Sequence, residues 1–229
     1  MTKVIAIIVA AGKGIRMNDP VRKQYQQVAD FPIVVHTLRV FDSCQMIDEM
    51  FLVIPKEDLE FCRNKILFPA DLKKNIYLVP GGPKRQDSVY NGLKAIDADY
   101  CIVVIHDGVR PFITHDQLEA CINGAKKHGA CILGIPAYDT LKRVSSTGTI
   151  VNTLERDAIW LAQTPQAFRY DLITKAHEVA RHQNFTGTDD ASLIEQLGLE
   201  VKIINGSRDN IKITNPEDLK LARILLERQ

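Results

Sequence analysis

Four polar segments of this sequence carry residue types suited to holding anions. The first is Ala10-Ala11-Gly12-Lys13-Gly14-Ile15-Arg16, directly after the apolar run from Val4 to Val9. Glycines and small alanines let backbone amides approach an anion, and Lys13, Arg16 and the later Lys23 add positive charge. Met17 stands where the dinucleotide fingerprint needs its third glycine, and no Gly-Lys-Ser/Thr completes a Walker A loop. Taken alone, the segment also reads as a strand-to-helix turn whose cations are merely solvated.

The second segment, Gly81-Gly82-Pro83-Lys84-Arg85-Gln86-Asp87-Ser88, again follows a strand-like run. Its glycines admit close contact with a flat base, and Arg85 and Ser88 can hydrogen-bond a nucleotide. Asp87 or Ser88 serves equally as a helix N-cap. The third, His106-Asp107-Gly108-Val109-Arg110-Pro111, ends the most apolar run. Asp107 suits Mg²⁺, which takes carboxylate and phosphate oxygens together. Arg110 is placed to pair with it, and a structural Asp–Arg pair closing the loop fits as well. His106 reads as a packed residue, because no second histidine stands at ligand spacing. The fourth set is dispersed: Thr140, Lys142, Arg156, Thr164-Pro165-Gln166, Thr188-Asp189-Asp190 and Asp209-Asn210-Ile211-Lys212. Together these can hold a small phosphate bearing hydroxyls, although spacing does not show that they converge. Asp189-Asp190 also fits the acidic first turn of a helix from Ala191 to Leu197.

The elements that must position these segments alternate. Val4 to Val9, Met50 to Ile54, Ile76 to Val79, Tyr100 to Ile105 and Cys131 to Ile135 are nearly continuous apolar runs, as in strands buried on both faces. Between them, Val34, Leu38 and Phe41 share a helical face. So do Val89, Leu93 and Ile96, and then Leu118, Cys121, Ile122 and Ala125. Thr114 with Gln117 predicts a capping box, and Asn215 before Pro216, Glu217 and Asp218 predicts the start of a terminal helix. The alternation defines an α/β domain with a mostly parallel sheet, whose ligands sit beyond the strands' carboxyl ends. From Pro136 to Leu154 the pattern breaks. Extended pieces at 140–144 and 149–154, turning at Ser145, Ser146 and Gly148, predict a polar hairpin. It is readable as an arm reaching another subunit or as a plain surface hairpin.

Bulk properties narrow the partners. The chain has 229 residues, with 29 Lys plus Arg against 28 Asp plus Glu and a net charge of +1. That balance gives no global attraction for nucleic acid or an anionic membrane, so any anion site must be local. The five cysteines form no C-x-x-C pair, which disfavours zinc and disulfides and fits a reducing compartment. The apolar N-terminal run is too short for a spanning helix and leads into glycine and basic residues, so it reads as a strand and not a signal peptide. A cytoplasmic location is expected.

The ordered motifs resemble the 2-C-methyl-D-erythritol 4-phosphate cytidylyltransferases of the non-mevalonate isoprenoid pathway. They are Ala-Ala-Gly-x-Gly-x-Arg-Met at Ala10 to Met17, Lys23-Gln24-Tyr25, Gly-Gly-x-x-Arg-x-Asp-Ser-Val at Gly81 to Val89, and His-Asp-Gly-Val-Arg-Pro at His106 to Pro111. Asp139 to Lys142, Thr164 to Gln166, Thr188 to Ser192 and Asn210 to Thr214 continue the likeness to the terminal helix. The resemblance implies a Rossmann-like nucleotidyltransferase domain over residues 1–229, forming a homodimer through hairpin arms at about 137–157. It implies that Ala10, Ala11, Gly12, Gly14, Gly82, Arg85, Ser88 and Asp107 bind CTP and its Mg²⁺ or another divalent cation, with Asp209 a second candidate metal ligand. Arg16 and Lys23 would neutralise the α-phosphate. Thr140, Arg156, Thr164, Thr188 and Lys212 would hold the methylerythritol phosphate, Arg156 and Lys212 also counting among the catalytic set. Thr140 and Arg156 would come from the partner subunit.

Two positions depart from the family pattern. Ala29-Asp30-Phe31 stands where glycine is usual, implying a different local turn, and His-Asp-Gly-Val replaces His-Asp-Ala-Ala. Neither removes a charge. The implied chemistry is in-line attack of an already ionised phosphate on the α-phosphorus of CTP, which needs no general base. A ribitol 5-phosphate enzyme is the nearest rival, and Asp139 to Lys142 and Thr153 to Arg156 favour methylerythritol phosphate over it. An NAD-dependent oxidoreductase is disfavoured by the incomplete fingerprint. An idle nucleotide binder would not need the cluster ending at Lys212.

Overall fold

The computed structural model describes residues 2–12, 21–98 and 100–228. Gly14 and Arg16, both expected in the anion-binding turn, lie outside the described residues.

Strand β1 (Lys3–Val9) explains why the apolar runs are nearly continuous. Val4, Ala6 and Ile8 enter one core, while Ile5 and Ile7 enter another across the sheet. In β4 (Glu49–Ile54), Met50, Leu52 and Ile54 divide from Phe51 and Val53 in the same way. Each such side chain, fully buried, stabilises the fold by about 1.5–3 kcal/mol. Helices α1 (Ile33–Ser43) and α4 (His115–His128) cover the first face, and the predicted stripes Val34, Leu38, Phe41 and Leu118, Cys121, Ile122, Ala125 are the residues they bury. Helices α3 (Arg85–Ala95), α5 (Tyr170–His182) and α6 (Ala191–Gln196) cover the second. A single turn, α2 (Leu59–Phe61), belongs to a run of short helical turns leading to strand β5 (Ile76–Pro80). The predicted capping box of α4 is present, Thr114 Oγ1 accepting from the Gln117 amide at 3.4 Å. Helix α7 (Pro216–Leu226) opens on Asn215, whose side chain accepts the Asp218 amide at 2.9 Å.

With β6 (Cys101–Asp107), β7 (Ala130–Pro136), β10 (Trp160–Arg169) and β11 (Lys202–Asn205), the seven-stranded sheet has the order β11-β7-β10-β6-β1-β4-β5. All pairings are parallel except those of β10, which runs antiparallel to both β6 and β7. The chain first winds outward from β1 through β4 to β5, then returns to β6 on the other side. The switch point therefore falls between β1 and β6, where an open sheet of this kind binds ligands. Sequence reasoning missed β10 because Gln163, Thr164, Pro165 and Gln166 interrupt its apolar run. The register shifts between Gln163 and Gln166, so Pro165 sits where no ladder donor is required. It also missed β11, a short, partly exposed edge strand.

The predicted hairpin exists as β8 (Lys142–Val144) and β9 (Ile150–Thr153), a separate two-stranded sheet. Ser145 N–H donates to Thr149 O at 2.9 Å, and Gly148 takes a positive φ of 81° in the turn. Val144, Ile150 and Val151 are 50%, 60% and 62% exposed, so within one chain the hairpin buries little. Two strands without a buried face are marginal alone. Among the described residues no helix is long and apolar enough to cross a membrane.

The Ala29 departure has a visible cost. A small hairpin of β2 (Gln27–Val28) and β3 (Phe31–Pro32) turns through Ala29 and Asp30, and Ala29 has φ of 52°. A positive φ at the first of two turn residues is a glycine preference, so the turn is kept and an alanine is strained into it. Ala29→Gly should stabilise the protein by about 0.5 kcal/mol, strain relief exceeding the added unfolded-state entropy. Urea unfolding checks this; a less stable variant would contradict it.

Candidate active site

The carboxyl ends of β1, β5 and β6 meet around a cavity of about 330 Å³, lined by Val9 to Gly12, Lys23, Gln24, Gly82 to Arg85, Ser88, Asp107, Val109 and Lys212. Backbone bonds knit this rim. Ala10 N–H donates to Val53 O at 2.8 Å, Gly81 N–H to Ile54 O at 2.7 Å and Gly108 N–H to Val9 O at 2.9 Å. The rim also needs glycine at Gly81, where a Cβ would stand 2.3 Å from that of Ala11. Ser88 is not an N-cap: α3 begins after Lys84, and Asp87, at its third position, accepts the Lys84 amide at 3.2 Å. The Ser88 hydroxyl instead accepts the Gly82 amide at 3.0 Å and fixes the glycine turn against the helix.

Asp107 is the electrostatic centre. Its side chain is only 8% exposed, and cations from separate segments converge on it. Arg85 Nε lies 3.0 Å from Oδ1, Lys212 Nζ 2.7 Å from Oδ2, and Arg110 Nε 3.6 Å from Oδ2. Burial alone would raise the carboxyl pKa, but Arg85, then Lys212 and Arg110, hold it well below the usual carboxylate range. Burial likewise opposes the charge of Arg85, and Asp190 and Asp107 reverse that, so Arg85 stays protonated. His106 is fully buried beside Phe41, and desolvation lowers its pKa to about 4. It is neutral at pH 7, consistent with its sequence reading as a packed residue.

The late motifs converge, which spacing could not show. Thr164 Oγ1 accepts the Asp107 amide at 3.1 Å, supporting the carboxylate from β10; the hydroxyl is buried and does not line the cavity. Asn210 Nδ2 donates to Thr164 O at 2.9 Å, and Arg110 Nη1 donates to Asn210 O at 2.6 Å. Ile213 N–H donates to Val109 O at 2.9 Å, so the segment delivering Lys212 is fixed on both sides. Gln166 Oε1 accepts the amides of Asp190 and Ala191 at 3.1 Å each, and its Nε2 donates to Asp189 at 2.7 Å. Thr164-Pro165-Gln166 and Thr188-Asp189-Asp190 thus form one bonded unit.

Other expected residues stand apart. Thr140, Arg156, Thr188 and Asp209 are exposed and outside the cavity wall. Arg156 Nη1 donates to Tyr138 O at the base of the hairpin. Among the described residues no group of three or more His, Cys, Asp or Glu side chains could hold a metal, and Asp107 is the only carboxylate on the cavity wall. A single carboxylate suits Mg²⁺ that takes its remaining ligands from phosphates and water. It does not suit an all-protein metal site. The five cysteines are free and buried, and desolvation pushes the thiols of Cys62 and Cys101 up to about 12 and 11. No thiolate chemistry is available there. Sequence reasoning gave no role to Gln24, Asp190 or His177; only the first stood in a quoted motif, beside Lys23.

A glycine-lined cavity ringed by cations at the switch point of a Rossmann-like sheet, with no nucleophile on its wall, defines a nucleotidyltransferase. Comparison with known proteins makes the class specific. The family described as 2-C-methyl-D-erythritol 4-phosphate cytidylyltransferase matches residues 4–228. Proteins of that name from Alkaliphilus oremlandii and Syntrophus aciditrophicus are 47% and 48% identical over 227 residues, covering 99% of this chain and 96% and 97% of theirs. The crystal structure of 4-diphosphocytidyl-2C-methyl-D-erythritol synthase from Anaerococcus prevotii aligns with a TM-score of 0.87 at 34% identity, over 99% of this chain and 97% of that one. The chain belongs to the 2-C-methyl-D-erythritol 4-phosphate cytidylyltransferase family, and it is a cytidylyltransferase.

The sign of the Asp107 shift gives a test. Its folded pKa lies below the usual value near 3.8, so its stabilisation is complete above that value and is lost as pH falls toward the folded pKa. Asp107→Asn should cost about 3 kcal/mol at neutral pH, as removing one partner of a buried ion pair does. The gap to the parent should stay constant down to about pH 5 and close below about pH 4. Denaturant melts at stepped pH measure it.

Proposed function

We propose that the cavity binds CTP, and that the phosphate of 2-C-methyl-D-erythritol 4-phosphate attacks its α-phosphorus. A new phosphate–phosphorus bond forms as the bond to the β-phosphate breaks, giving 4-diphosphocytidyl-2-C-methyl-D-erythritol and pyrophosphate. The observation that carries this reading is the cluster of Arg85, Arg110 and Lys212 around Asp107, with Lys23 on the same cavity wall. Two anions meeting at a buried site need their mutual repulsion neutralised, and fixed cations do this without reorganisation. The attacking phosphate arrives ionised, so the absence of a base on the wall is no obstacle.

In this reading Ala10 to Gly12 and Lys23 cradle the triphosphate, and Gly82, Arg85 and Ser88 form the base and ribose side. Arg16, assigned through the family resemblance, joins Lys23 at the α-phosphate. Lys212 is held by Asp107 toward the acceptor, and Thr188 lies on the unit that Gln166 anchors. A Mg²⁺ or other divalent cation accompanying CTP, with Asp107 as its one protein carboxylate, supplies further charge neutralisation.

The arm at about 137–157 is proposed to pair with a second copy of the chain, bringing Thr140 and Arg156 to the partner's acceptor site. Exposed Val144, Ile150 and Val151 support this, because water contact at such residues is removed by association. The five free cysteines fit a cytoplasmic setting.

Offered CTP and Mg²⁺, the protein should release pyrophosphate with methylerythritol phosphate, and not with ribitol 5-phosphate or without an acceptor. Release only with ribitol 5-phosphate would transfer the assignment to that acceptor. Lys23→Ala should lower kcat about a hundredfold, the scale of losing one donor to a developing charge, while the thermal melt is retained. Val151→Asp should shift sedimentation from dimer to monomer and raise the acceptor KM; a dimeric variant with unchanged KM would remove the arm's role.

A further inference from the structure

Arg85 is held from behind as well as from the cavity. Its Nε donates to Asp107 Oδ1 at 3.0 Å and its Nη1 donates to Asp190 Oδ2 at 2.7 Å, so one flat guanidinium spans two carboxylates. The second oxygen of Asp190 faces His177 Nε2 at 3.2 Å. Asp190 is 1% exposed, and although burial alone would raise its pKa, Arg85 and then His177 lower it. An ionised carboxylate only accepts, so His177 Nε2 carries the hydrogen and donates it. The backbone of Asp190 is pinned in turn by Gln166 Oε1 at 3.1 Å.

His177 is 0% exposed on α5, a helix that contributes no residue to the cavity wall. Its ring stacks beside Tyr90, with centroids 6.3 Å apart, and Arg181 covers the Tyr90 ring at 4.4 Å. Each link in this chain has one orientation. His177 can satisfy Asp190 Oδ1 only from its packed position, and Asp190 can reach Arg85 only with its other oxygen. Without His177, a buried carboxylate oxygen would lose its donor, and Asp190 would be free to turn away from Arg85.

We propose that Asp190 and His177 are positioning residues that hold Arg85 at the cavity, so that an imidazole on a helix outside the site sets how tightly CTP binds. The inference rests on the cavity's taking CTP. A long arginine tethered by one carboxylate samples many rotamers, whereas two carboxylates fix it before the ligand arrives, and preorganisation of this kind is read in affinity. The effect falls on CTP and not on the acceptor, because neither His177 nor Asp190 touches Lys212.

The test compares the full-length parent with His177→Leu and His177→Gln, measuring the CTP dissociation constant by calorimetry without acceptor, and kcat and KM for both substrates. His177→Leu should weaken CTP about tenfold, the scale at which outer-shell partners act in other sites, with acceptor KM and kcat within about twofold of the parent. His177→Gln, whose amide can reach Asp190 as Nε2 does, should restore most of the loss. In an Arg85→Lys background, His177→Leu should weaken CTP no further, because coupled residues are non-additive. Four results would overturn the relay: CTP binding within about twofold of parent in His177→Leu, a glutamine no better than leucine, parallel loss of both substrates, or effects that multiply in the double variant. If His177→Leu does not fold, His177→Asn, whose amide stops short of Asp190, takes its place against His177→Gln. A parent that binds no CTP would instead overturn the functional reading itself.

Discussion

A carboxylate almost sealed from water is costly unless positive charge surrounds it, and the arrangement of this protein around Asp107 meets that condition from widely separated parts of the chain. Arg85 comes from the start of α3, Arg110 from the loop after β6, and Lys212 from the segment before α7. Each cation is itself supported: Arg85 by Asp190, Arg110 by the Asn210 carbonyl, and the Lys212 segment by Val109. Removing the central charge would leave mutually repelling cations in a half-buried site. The same repulsion, in the presence of a nucleotide, becomes attraction for phosphate. Structure and chemistry therefore draw on one charge distribution.

That distribution also explains the rigidity of the surrounding backbone. Electrostatic stabilisation works best when the charges do not have to move, and here the strand ends of β1, β5 and β6 are tied by backbone bonds next to the cavity. Glycines occur where two backbones or a backbone and a side chain meet too closely for a Cβ, as at Gly81 and Gly82. Gly108 has the same character, with Ala10 Cβ 3.0 Å from where its own Cβ would stand. The Gly-Val sequence after Asp107 thus relieves contact on the floor, and Val109 fills the wall.

Much of this was legible in the sequence because burial on both faces leaves an unmistakable apolar run. β1, β4, β5, β6 and β7 were read from such runs, and α1, α3 and α4 from the spacing of their buried residues. β10 was not, since its polar centre is there for hydrogen bonding: Thr164 supports Asp107 and Gln166 caps α6. Residues that do chemistry through fixed partners look like surface loop in a sequence. The cavity side of the site was legible as glycine-rich and basic motifs at strand ends. The buried pair of Asp190 and His177 was not, because a contact between residues on different elements has no periodic signal. Its only trace was the Thr188-Asp189-Asp190 motif, where an acidic helix start is an equally good local explanation.

The placement of β10 has a consequence for how the protein is made. It fills the slot between β6 and β7, both of which precede it in the chain. A polypeptide emerging from its N-terminus must therefore form two apolar strands with a gap between them, and wait through the arm before the filler arrives. During that interval the inner edges of β6 and β7 present unpaired backbone groups, the feature by which nascent chains stick to one another. The interval ends only when Trp160–Arg169 is available, and the last of the cations around Asp107 arrives later still, with Lys212. The centre of the sheet is finished near the end of synthesis, so the first half of the chain is no independent nucleotide-binding module, although it holds most of the motifs that look like one.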